Sequence, residues 1–406
     1  MTPSLLQRDL PVKIFLVMGS SIALVLASSF MMGPLIVDIA ADFNTSVSKT
    51  GQFASATFIA WAIGAPLTGP ISDSYGRRPI ALIGVGLVGT GLLGCSVSLN
   101  YEMMFAFRLL TGFGSAMILP NSAAVVSDLV SPQTRGKYIG RLTGIGTIAT
   151  ALGAPIAAMF INFGTWRTSF LAFGTIALLV WILLWIWFPS LQSTNSNSLT
   201  LIGRYREAGS NPTLWYVLIS NVSQRTVYFA MLSYLAAYLI QDYGQNSGDT
   251  ALPLALVGIG NIIGAFLGSV VATRASRITI TMVCFLSQGI AAFVLFYLEI
   301  SIWLVVGLAL IIACCFSITW PVLVSRITET TKSSTATALG ISAAGNQLGA
   351  LGGSAIGGLM LALGGFSLIG IASLVSVMIA SCVLKVKVKE TAEFTKWPSK
   401  NVRMAP

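Results

Sequence analysis

The sequence predicts an all-α membrane protein in which twelve transmembrane helices form two pseudo-symmetric six-helix bundles. Of its 406 residues, 55% are hydrophobic and 9% are charged, whereas about 25% of the residues in an ordinary soluble domain are charged. The apolar residues fall into twelve runs, each close to the roughly 20 residues that cross a bilayer as a helix. A weak internal repeat relates the first six runs to the last six.

Short polar junctions separate most of the twelve runs, so consecutive helices are expected to be antiparallel neighbours. The runs cover approximately residues 12–39, 50–72, 79–98, 103–127, 137–162, 167–188, 213–240, 250–273, 278–298, 301–325, 334–363 and 366–384. The one long junction is rich in serine, threonine and asparagine, which favour loops. The predicted units are an N-terminal bundle (1–188), a cytoplasmic linker (189–211), a C-terminal bundle (212–385) and a basic cytoplasmic tail (386–406).

Lysine and arginine predict the orientation in the membrane. With the N-terminus in the cytoplasm, 19 of the 23 basic residues lie in cytoplasmic loops or termini, while Lys49 and Arg167 lie outside. The remaining two, Arg108 and Arg225, fall within spans. This positive-inside bias places both termini in the cytoplasm, and we expect a bacterial inner (plasma) membrane. The net charge of +10 follows from this topology, so no nucleic-acid partner is expected.

The composition argues against an enzyme and against a bound metal or cofactor. Histidine is absent, and the five cysteines lie in apolar runs without the spacing of metal ligands. The sequence shows neither a nucleophile with its base nor the phosphate-binding loop of an ATPase. An ion gradient is therefore the expected source of energy for any transport.

A charged turn between the second and third runs carries the most specific motif. It reads Gly69-x-x-x-Asp73-x-x-Gly76-Arg77-Arg78. This pattern resembles the signature loop between helices 2 and 3 of major facilitator superfamily transporters, and every signature position matches. The resemblance implies alternating access, with the loop latching the two halves in the outward-open state. The residues assigned to gating on this basis are Gly69, Asp73, Gly76, Arg77, Arg78 and Asp128.

Two further stretches resemble the same superfamily. Arg108, followed by Gly112 and Gly114, is similar to its helix 4 motif, and residues 144–155 partly resemble the helix 5 motif of its antiporters. Small residues at the latter spacing also serve plain helix packing. The resemblance spans about residues 12–385 and points to the twelve-helix drug/proton antiporter branch, which includes sugar and metabolite efflux permeases. It implies a monomer that exports a small amphipathic compound (a drug or metabolite) in exchange for protons.

The repeat between the halves becomes visible on a shift of 200 residues. Gly264-Ala265-Phe266-Leu267 then aligns with Gly64-Ala65-Pro66-Leu67, and Arg277 aligns with Arg77. Parallel six-helix repeats are expected of this fold. Because Thr273 stands where Asp73 would fall, the full charged latch is expected in the first half alone.

Asp38 and Arg108 are the predicted proton-coupling residues. Asp38 lies one helical turn deeper in the first span than Asp42, and exporters of the resembling branch often carry an acidic residue in this helix. An aspartate at a wet helix end that faces the outer vestibule is an equally open interpretation. A buried arginine is costly without a partner or a wet cavity. Arg108 is therefore expected to lower the pKa of Asp38 in one state of the transport cycle. The alternative is that its side chain extends toward the membrane–water interface.

The predicted substrate site combines aromatic, flexible and polar side chains. Its members are Phe30, Met31, Phe58, Trp61, Asn121, Arg225 and Asn346. Methionine and aromatic side chains suit an adaptable apolar pocket, although most such residues face lipid or core. An alternative function is a facilitator or uptake carrier for an anionic small molecule bound by Arg108 and Arg225. A sensor or a lipid-moving protein of the same fold is a further alternative.

Overall fold

The computed structural model describes residues 10–189, 210–272, 274, 276–330 and 335–387. Over these residues the chain is helical with no strand, which confirms the predicted fold class. The helices are α1 (Val12–Phe30 and Met32–Asp42), α2 (Val47–Tyr75), α3 (Arg77–Ser96), α4 (Tyr101–Leu129), α5 (Pro132–Ile161), α6 (Trp166–Trp187), α7 (Pro212–Gln241), α8 (Ala251–Val271), α9 (Arg277–Tyr297), α10 (Ile302–Thr330), α11 (Thr335–Gly364) and α12 (Phe366–Lys387).

Helices α1–α6 form one bundle and α7–α12 form the other. This arrangement agrees with the predicted fold class, while the bounds of the two bundles, the linker and the tail stay predictions. Residues 190–209 and 388–406 lie outside the described part.

The first span bends instead of running as one straight helix. Its two segments meet at Met31, three residues before Pro34. Proline has no N–H to donate to the carbonyl of Phe30 four residues earlier, and its ring displaces that carbonyl, so the helix breaks one turn before it. The second segment continues to Asp42, three residues beyond the predicted end at residue 39.

Ten described helices are long and apolar enough to cross a membrane. The other two long helices, α2 and α7, do not reach this hydropathy because each carries a polar face. On α2 this face includes Ser48 and Ser55, which contact α11 of the other bundle, and on α7 it includes Asn221 and Gln224, which bond within their own bundle. These polar groups are therefore turned toward protein and away from lipid.

Apolar side chains cover the outside of the molecule. On α6, Leu171, Leu179, Ile182 and Ile186 are all exposed. Exposed apolar surface of this extent marks a surface that lies in a membrane. The protein is accordingly a multi-pass membrane protein.

Side-chain caps set the beginning of several helices. Ser46, Asn100, Thr165 and Asn211 each accept a hydrogen bond from a backbone N–H in the first turn of α2, α4, α6 and α7. These oxygens satisfy N–H groups that have no partner within the helix. These caps help to set where these four helices start.

Candidate transport pathway

The two bundles pack tightly at the end of the molecule that carries Asp42 (the Asp42 end). The Ser48 hydroxyl of α2 donates to the Gly358 carbonyl of α11, and the hydroxyls of Ser55 and Ser354 lie 2.8 Å apart on the same two helices. A methyl group added at Gly33 of α1 would come within 2.9 Å of the Leu232 carbonyl oxygen of α7. Backbone approaches this close leave no passage between the bundles.

Loop contacts complete the closure at the Asp42 end. The side chain of Asp38 lies beside that of Ser247, in the segment before α8. Gly248 lies so close to the side chain of Asn162 that any larger residue there would clash with it. Both contacts join the N-terminal bundle to the C-terminal one, so this closure is made of many small groups and one carboxylate.

At the opposite end, which carries Arg77 (the Arg77 end), four glycines of the N-terminal bundle face open space. Gly136, Gly140 and Gly144 follow one another along one face of α5, and all three are exposed. A methyl group added at any of them, or at Gly69 of α2, would meet no described atom within 4 Å. The bundles thus touch at the Asp42 end, while the Arg77 end has space beside α2 and α5.

The charged turn between α2 and α3 is held by a buried arginine. Arg77 donates from Nη1 to Asp73 over 2.6 Å and from Nε to Asp128 over 2.8 Å. Gly76 has a φ of 91°, a conformation that side-chain-bearing residues rarely adopt. The structure brings Asp73, Gly76, Arg77 and Asp128 together as expected of a latch.

Asn121 belongs to this turn as well. Its amide donates to the Arg77 carbonyl over 2.9 Å and accepts from the Ser72 hydroxyl over 2.7 Å. The side chain is almost fully buried there. It therefore braces the turn and does not line the pathway, in contrast to its predicted place in the substrate site.

The remaining two gating candidates lie apart from this ion-pair cluster. Arg78 donates to the Trp185 carbonyl of α6 over 2.6 Å and also lies over the Trp185 ring. Gly69 faces open space. Arg78 is thus positioned to fix the turn against α6, while Gly69 lies beside the space at the Arg77 end.

The second bundle carries its own arginine–carboxylate pair. Arg277 donates from both Nη atoms to Glu329 over 2.7 Å, and Arg326 lies 3.4 Å from the same carboxylate. Glu329 supplies the counterpart of Asp128, while the prediction that the full latch occurs in the first half alone stays a prediction. Thr273, the counterpart of Asp73, lies outside the described residues.

Arg225 occupies the middle of α7, among three aromatic rings. Its guanidinium carbon lies 5.5 Å from the ring centre of Phe229, 5.1 Å from that of Phe316 and 5.3 Å from that of Trp320. Its Nε donates to the Asn346 carbonyl over 3.2 Å. We call Phe229, Phe316 and Trp320 the aromatic cage.

Hydrogen-bonded amides surround the aromatic cage. Asn221 donates to Asn346 over 2.7 Å, and Gln224 donates to Gln288 over 3.1 Å. On the other side, Asn261 donates to the Tyr228 hydroxyl over 2.8 Å. These pairs satisfy one another, and all of their members except Asn346 are buried, so they brace the helices behind the aromatic cage.

The N-terminal bundle contributes aromatic rings to the same place. Phe30 lies 5.4 Å from Phe229 and 6.1 Å from Phe58, measured between ring centres. Phe30, Phe58, Arg225 and Asn346 are thus gathered around one site between the bundles. Met31, Phe58 and Trp61 are buried in the hydrophobic core, so among the predicted aromatic and methionine candidates Phe30 alone is partly exposed.

Asp38 and Arg108 are not paired in this structure. Asp38 keeps one oxygen, Oδ2, buried without a hydrogen-bond partner. Arg108 is fully buried, and its Nε donates to the Phe53 carbonyl over 3.4 Å while Nη1 and Nη2 have no partner. Among the described ion pairs, none includes either residue.

Sequence reasoning missed the aromatic cage and Glu329. Phe229 follows Arg225 by four residues, and Trp320 follows Phe316 by four, which puts each pair on one helix face. This spacing was a usable signal for Phe229, but apolar spans contain many such pairs. No group of three metal-ligating side chains occurs in the described residues.

A family model described as Major Facilitator Superfamily matches residues 18–337. The chain belongs to the Major Facilitator Superfamily. Its members are transporters and not enzymes, and a transporter of this type binds a small-molecule substrate within a membrane. This family assignment confirms the resemblance seen in the charged turn.

Curated relatives match parts of the chain. The uncharacterized MFS-type transporter YceJ of Bacillus subtilis is 27% identical over 249 residues, which cover 61% of this chain and 63% of YceJ. The efflux pump dotC of Dothistroma septosporum is 34% identical over 146 residues, covering 34% of this chain and 25% of the pump. The matches span less than two-thirds of either relative's length.

Solved structures share the fold over nearly the whole chain. The D-xylose–proton symporter aligns with a TM-score of 0.73 and 18% identity, covering 91% of this chain and 96% of the symporter. A bacterial homologue of the human lysosomal transporter Spinster aligns with a TM-score of 0.70 and 16% identity, covering 93% and 97%. At such identities the likeness concerns the fold alone.

Proposed function

We propose that this transporter exports a small amphipathic compound in exchange for protons by alternating access. The two bundles rock about the site at Arg225, exposing it to one side of the membrane at a time. The observation that carries the proposal is the position of Asp38 beside Ser247, which supports a role for this carboxylate at the closure between the bundles.

The distribution of basic residues supports the direction of the opening. The positive-inside rule assigns the Arg77 end to the cytoplasm. With this orientation, the structure is the inward-open state, in which a cytoplasmic compound reaches the site while the Asp42 end stays closed to the outside. Export would begin from this state.

Asp38 is suited to couple a proton to the movement. It lies four residues inside the end of its helix, whereas the other described acidic residues within helices lie within two residues of a helix end. A buried carboxylate oxygen without a partner is costly while charged, and a bound proton removes that charge. Opening of the Asp42 end breaks the Ser247 contact and exposes Asp38 to outside water, where it takes up a proton.

Arg108 supports the second half of this exchange. Its two unpartnered nitrogens form an uncompensated charge in the same bundle as Asp38. A carboxylate that approaches such a group gains a charge-assisted hydrogen bond, which favours release of the proton. We therefore place the proton-release step in a state where α1 and α4 bring Asp38 and Arg108 together.

Proteoliposomes with an imposed pH gradient test this proposal. The native chain is compared with Asp38→Asn, and Asp249→Asn serves as the matched control because Asp249 is an exposed carboxylate at the same end. The gradient should accelerate transport by the native chain and by the control, and it should have no effect on Asp38→Asn. Equal acceleration in all three chains would refute the role of Asp38.

The second candidate is a facilitator or uptake carrier for an anion bound by Arg108 and Arg225. It is favoured by one observation: the described residues offer neither arginine a carboxylate partner. Such a carrier would transport its substrate equally fast with and without a pH gradient. The proteoliposome experiment therefore separates the two candidates.

A further inference from the structure

We infer that the substrate of this transporter is an amphipathic aromatic anion, whose carboxylate or sulfonate binds Arg225 and whose ring system packs on the aromatic cage. The inference rests on the proposed transport function and names the substrate class of the same site. Four features of the described residues carry it.

The first feature is a charge that the protein does not neutralise. Arg225 forms no ion pair with any described carboxylate, and its one hydrogen bond uses Nε and a backbone carbonyl. A guanidinium deep in a membrane protein needs a partner or a wet cavity. A ligand anion supplies the missing partner in the loaded state.

The second feature is that the guanidinium head of Arg225 is available to a ligand. Its two Nη atoms make no hydrogen bond to the described residues, yet they are not among the buried unpartnered atoms, so they reach the cavity. Arg108 differs in this respect, because its Nη1 and Nη2 are both sealed from solvent. Of these two arginines within the spans, Arg225 alone is therefore positioned to bind a substrate from the cytoplasmic cavity.

The third feature is the orientation that the aromatic cage imposes. The Phe229, Phe316 and Trp320 rings, each within 5.5 Å of the guanidinium carbon, attract the cation through their electron-rich faces. The rings hold the guanidinium in place but leave its charge unneutralised, whereas a carboxylate would neutralise it. The pair of free Nη donors then presents the fork that suits a carboxylate or a sulfonate.

The fourth feature is the surface next to this charge. Phe30 of the N-terminal bundle, which adjoins Phe229, and Phe316 and Trp320 of the cage are partly exposed. Phe58, Tyr228 and Phe229 are buried behind them, and Tyr228 stacks on Phe316 with ring centres 4.0 Å apart. Ring edges and faces at these positions suit a flat aromatic group. A cationic compound finds no described carboxylate here and is repelled by Arg225, so cations are disfavoured.

Three probes with one ring system and fixed charges test the inference. They are naphthalene-2-sulfonate, the neutral naphthalene-2-sulfonamide and the cationic trimethyl(2-naphthylmethyl)ammonium. Equilibrium dialysis with the full chain in nanodiscs, at equal pH on both sides, measures their binding without any gradient. The sulfonate should bind at least about 10-fold more tightly than the other two, the factor that a hydrogen-bonded charged partner contributes.

Variants assign this preference to Arg225. Arg225→Gln should lower the affinity for the sulfonate to that for the sulfonamide, whereas Arg225→Lys should retain part of the preference. Arg274→Gln, which removes an exposed charge outside the spans, is the matched control and should bind as the native chain does. In addition, quenching of tryptophan fluorescence by the sulfonate should diminish in Trp320→Phe, which locates the probe at the cage.

Equal affinity of the native chain for the three probes, or a preference for the cation, would overturn the inference even if the Arg225 variants do not fold. Retention of the anion preference in a folded Arg225→Gln chain would overturn it as well. Because this assay contains no gradient, its outcome is independent of proton coupling. An anion preference without gradient-driven transport would support this inference and refute the proposed antiport.

Discussion

Removal of one hydrogen bond between the bundles should shift the protein from the inward-open toward the outward-open state. The hydroxyls of Ser55 and Ser354 lie 2.8 Å apart, and both residues are buried. In Ser55→Ala the Ser354 hydroxyl keeps its contacts to the Ala350 and Leu351 carbonyls, so no donor is left unpaired. The change therefore removes the contact across the bundles and little else.

The size of the shift follows from the worth of one hydrogen bond. A net contribution of about 0.5–1.5 kcal/mol corresponds to a decrease of about 2- to 12-fold in the ratio of inward-open to outward-open protein. The outward-open state has separated these helices and does not contain the contact. Loss of this hydrogen bond therefore destabilises the inward-open state alone.

Labelling of an introduced cysteine measures this ratio. Gly140→Cys places a thiol in the open space at the Arg77 end, where a membrane-impermeant maleimide reaches it in inside-out vesicles. The parent chain, with its native cysteines, gives the background. Ser55→Ala should slow labelling at this position when the inward-open state is no longer dominant. A second cysteine, Val37→Cys, lies in the outer groove at the Asp42 end. Ser55→Ala should raise the initial rate at which reagent on the opposite side of the membrane labels it.

Ser21→Ala is the matched control for this experiment. The Ser21 hydroxyl is buried and bonds to the Val17 carbonyl of its own helix, so the same chemical change occurs without a contact between bundles. Its labelling should equal that of the parent. Equal labelling of Ser55→Ala and Ser21→Ala at both positions would refute the assignment of this contact to the closure.

Three further predictions follow from the charged groups. Glu329→Gln removes the carboxylate shared by Arg277 and Arg326 and should lower the free energy of unfolding by about 3 kcal/mol. Asp42→Asn breaks an exposed ion pair and should lower it by about 1 kcal/mol or less. Denaturant titration measures both changes. When one proton enters and one monovalent anion leaves, both movements carry positive charge toward the side from which the substrate departs. A potassium diffusion potential that is negative on that side should therefore speed export, with a driving force of about 4.6 kcal/mol per 100 mV. Burial raises the pKa of Asp242, and the nearby Glu299 raises it further. At neutral pH the charged carboxylate therefore destabilises the folded state, and Asp242→Asn should increase the melting temperature. This increase should vanish once the pH falls below the ordinary pKa of an aspartate, because the carboxyl group is then neutral in both the folded and the unfolded state.

The sequence was sufficient for the spans and for the turn at Arg77. Long apolar runs and Gly76 have local causes, namely the hydrophobic match to a bilayer and a backbone conformation that favours glycine. The approach of Asp73 and Asp128 to Arg77 also follows once the neighbouring helices are antiparallel. These features depend on few long-range contacts.

The surroundings of Arg225 could not be predicted in the same way. Phe316 and Trp320 look like any other aromatic residues of an apolar span, and whether they face lipid or Arg225 depends on how α10 is rotated in the bundle. Asn121 has the composition of a substrate ligand but binds the turn, because its position on α4 faces Ser72 and Arg77. The closed Asp42 end reflects a balance of small contacts between two states, which no local pattern encodes.

Proton movement caused by transport, without any imposed gradient, tests the central claim most directly. Proteoliposomes that contain the pH dye pyranine receive naphthalene-2-sulfonate on one side only, at equal pH on both sides and with the membrane potential clamped. Entry of the sulfonate should drive protons out, so the interior should become alkaline with the native chain but not with Asp38→Asn. Sulfonate entry with the native chain and no change of internal pH would contradict proton-coupled antiport and identify a facilitator.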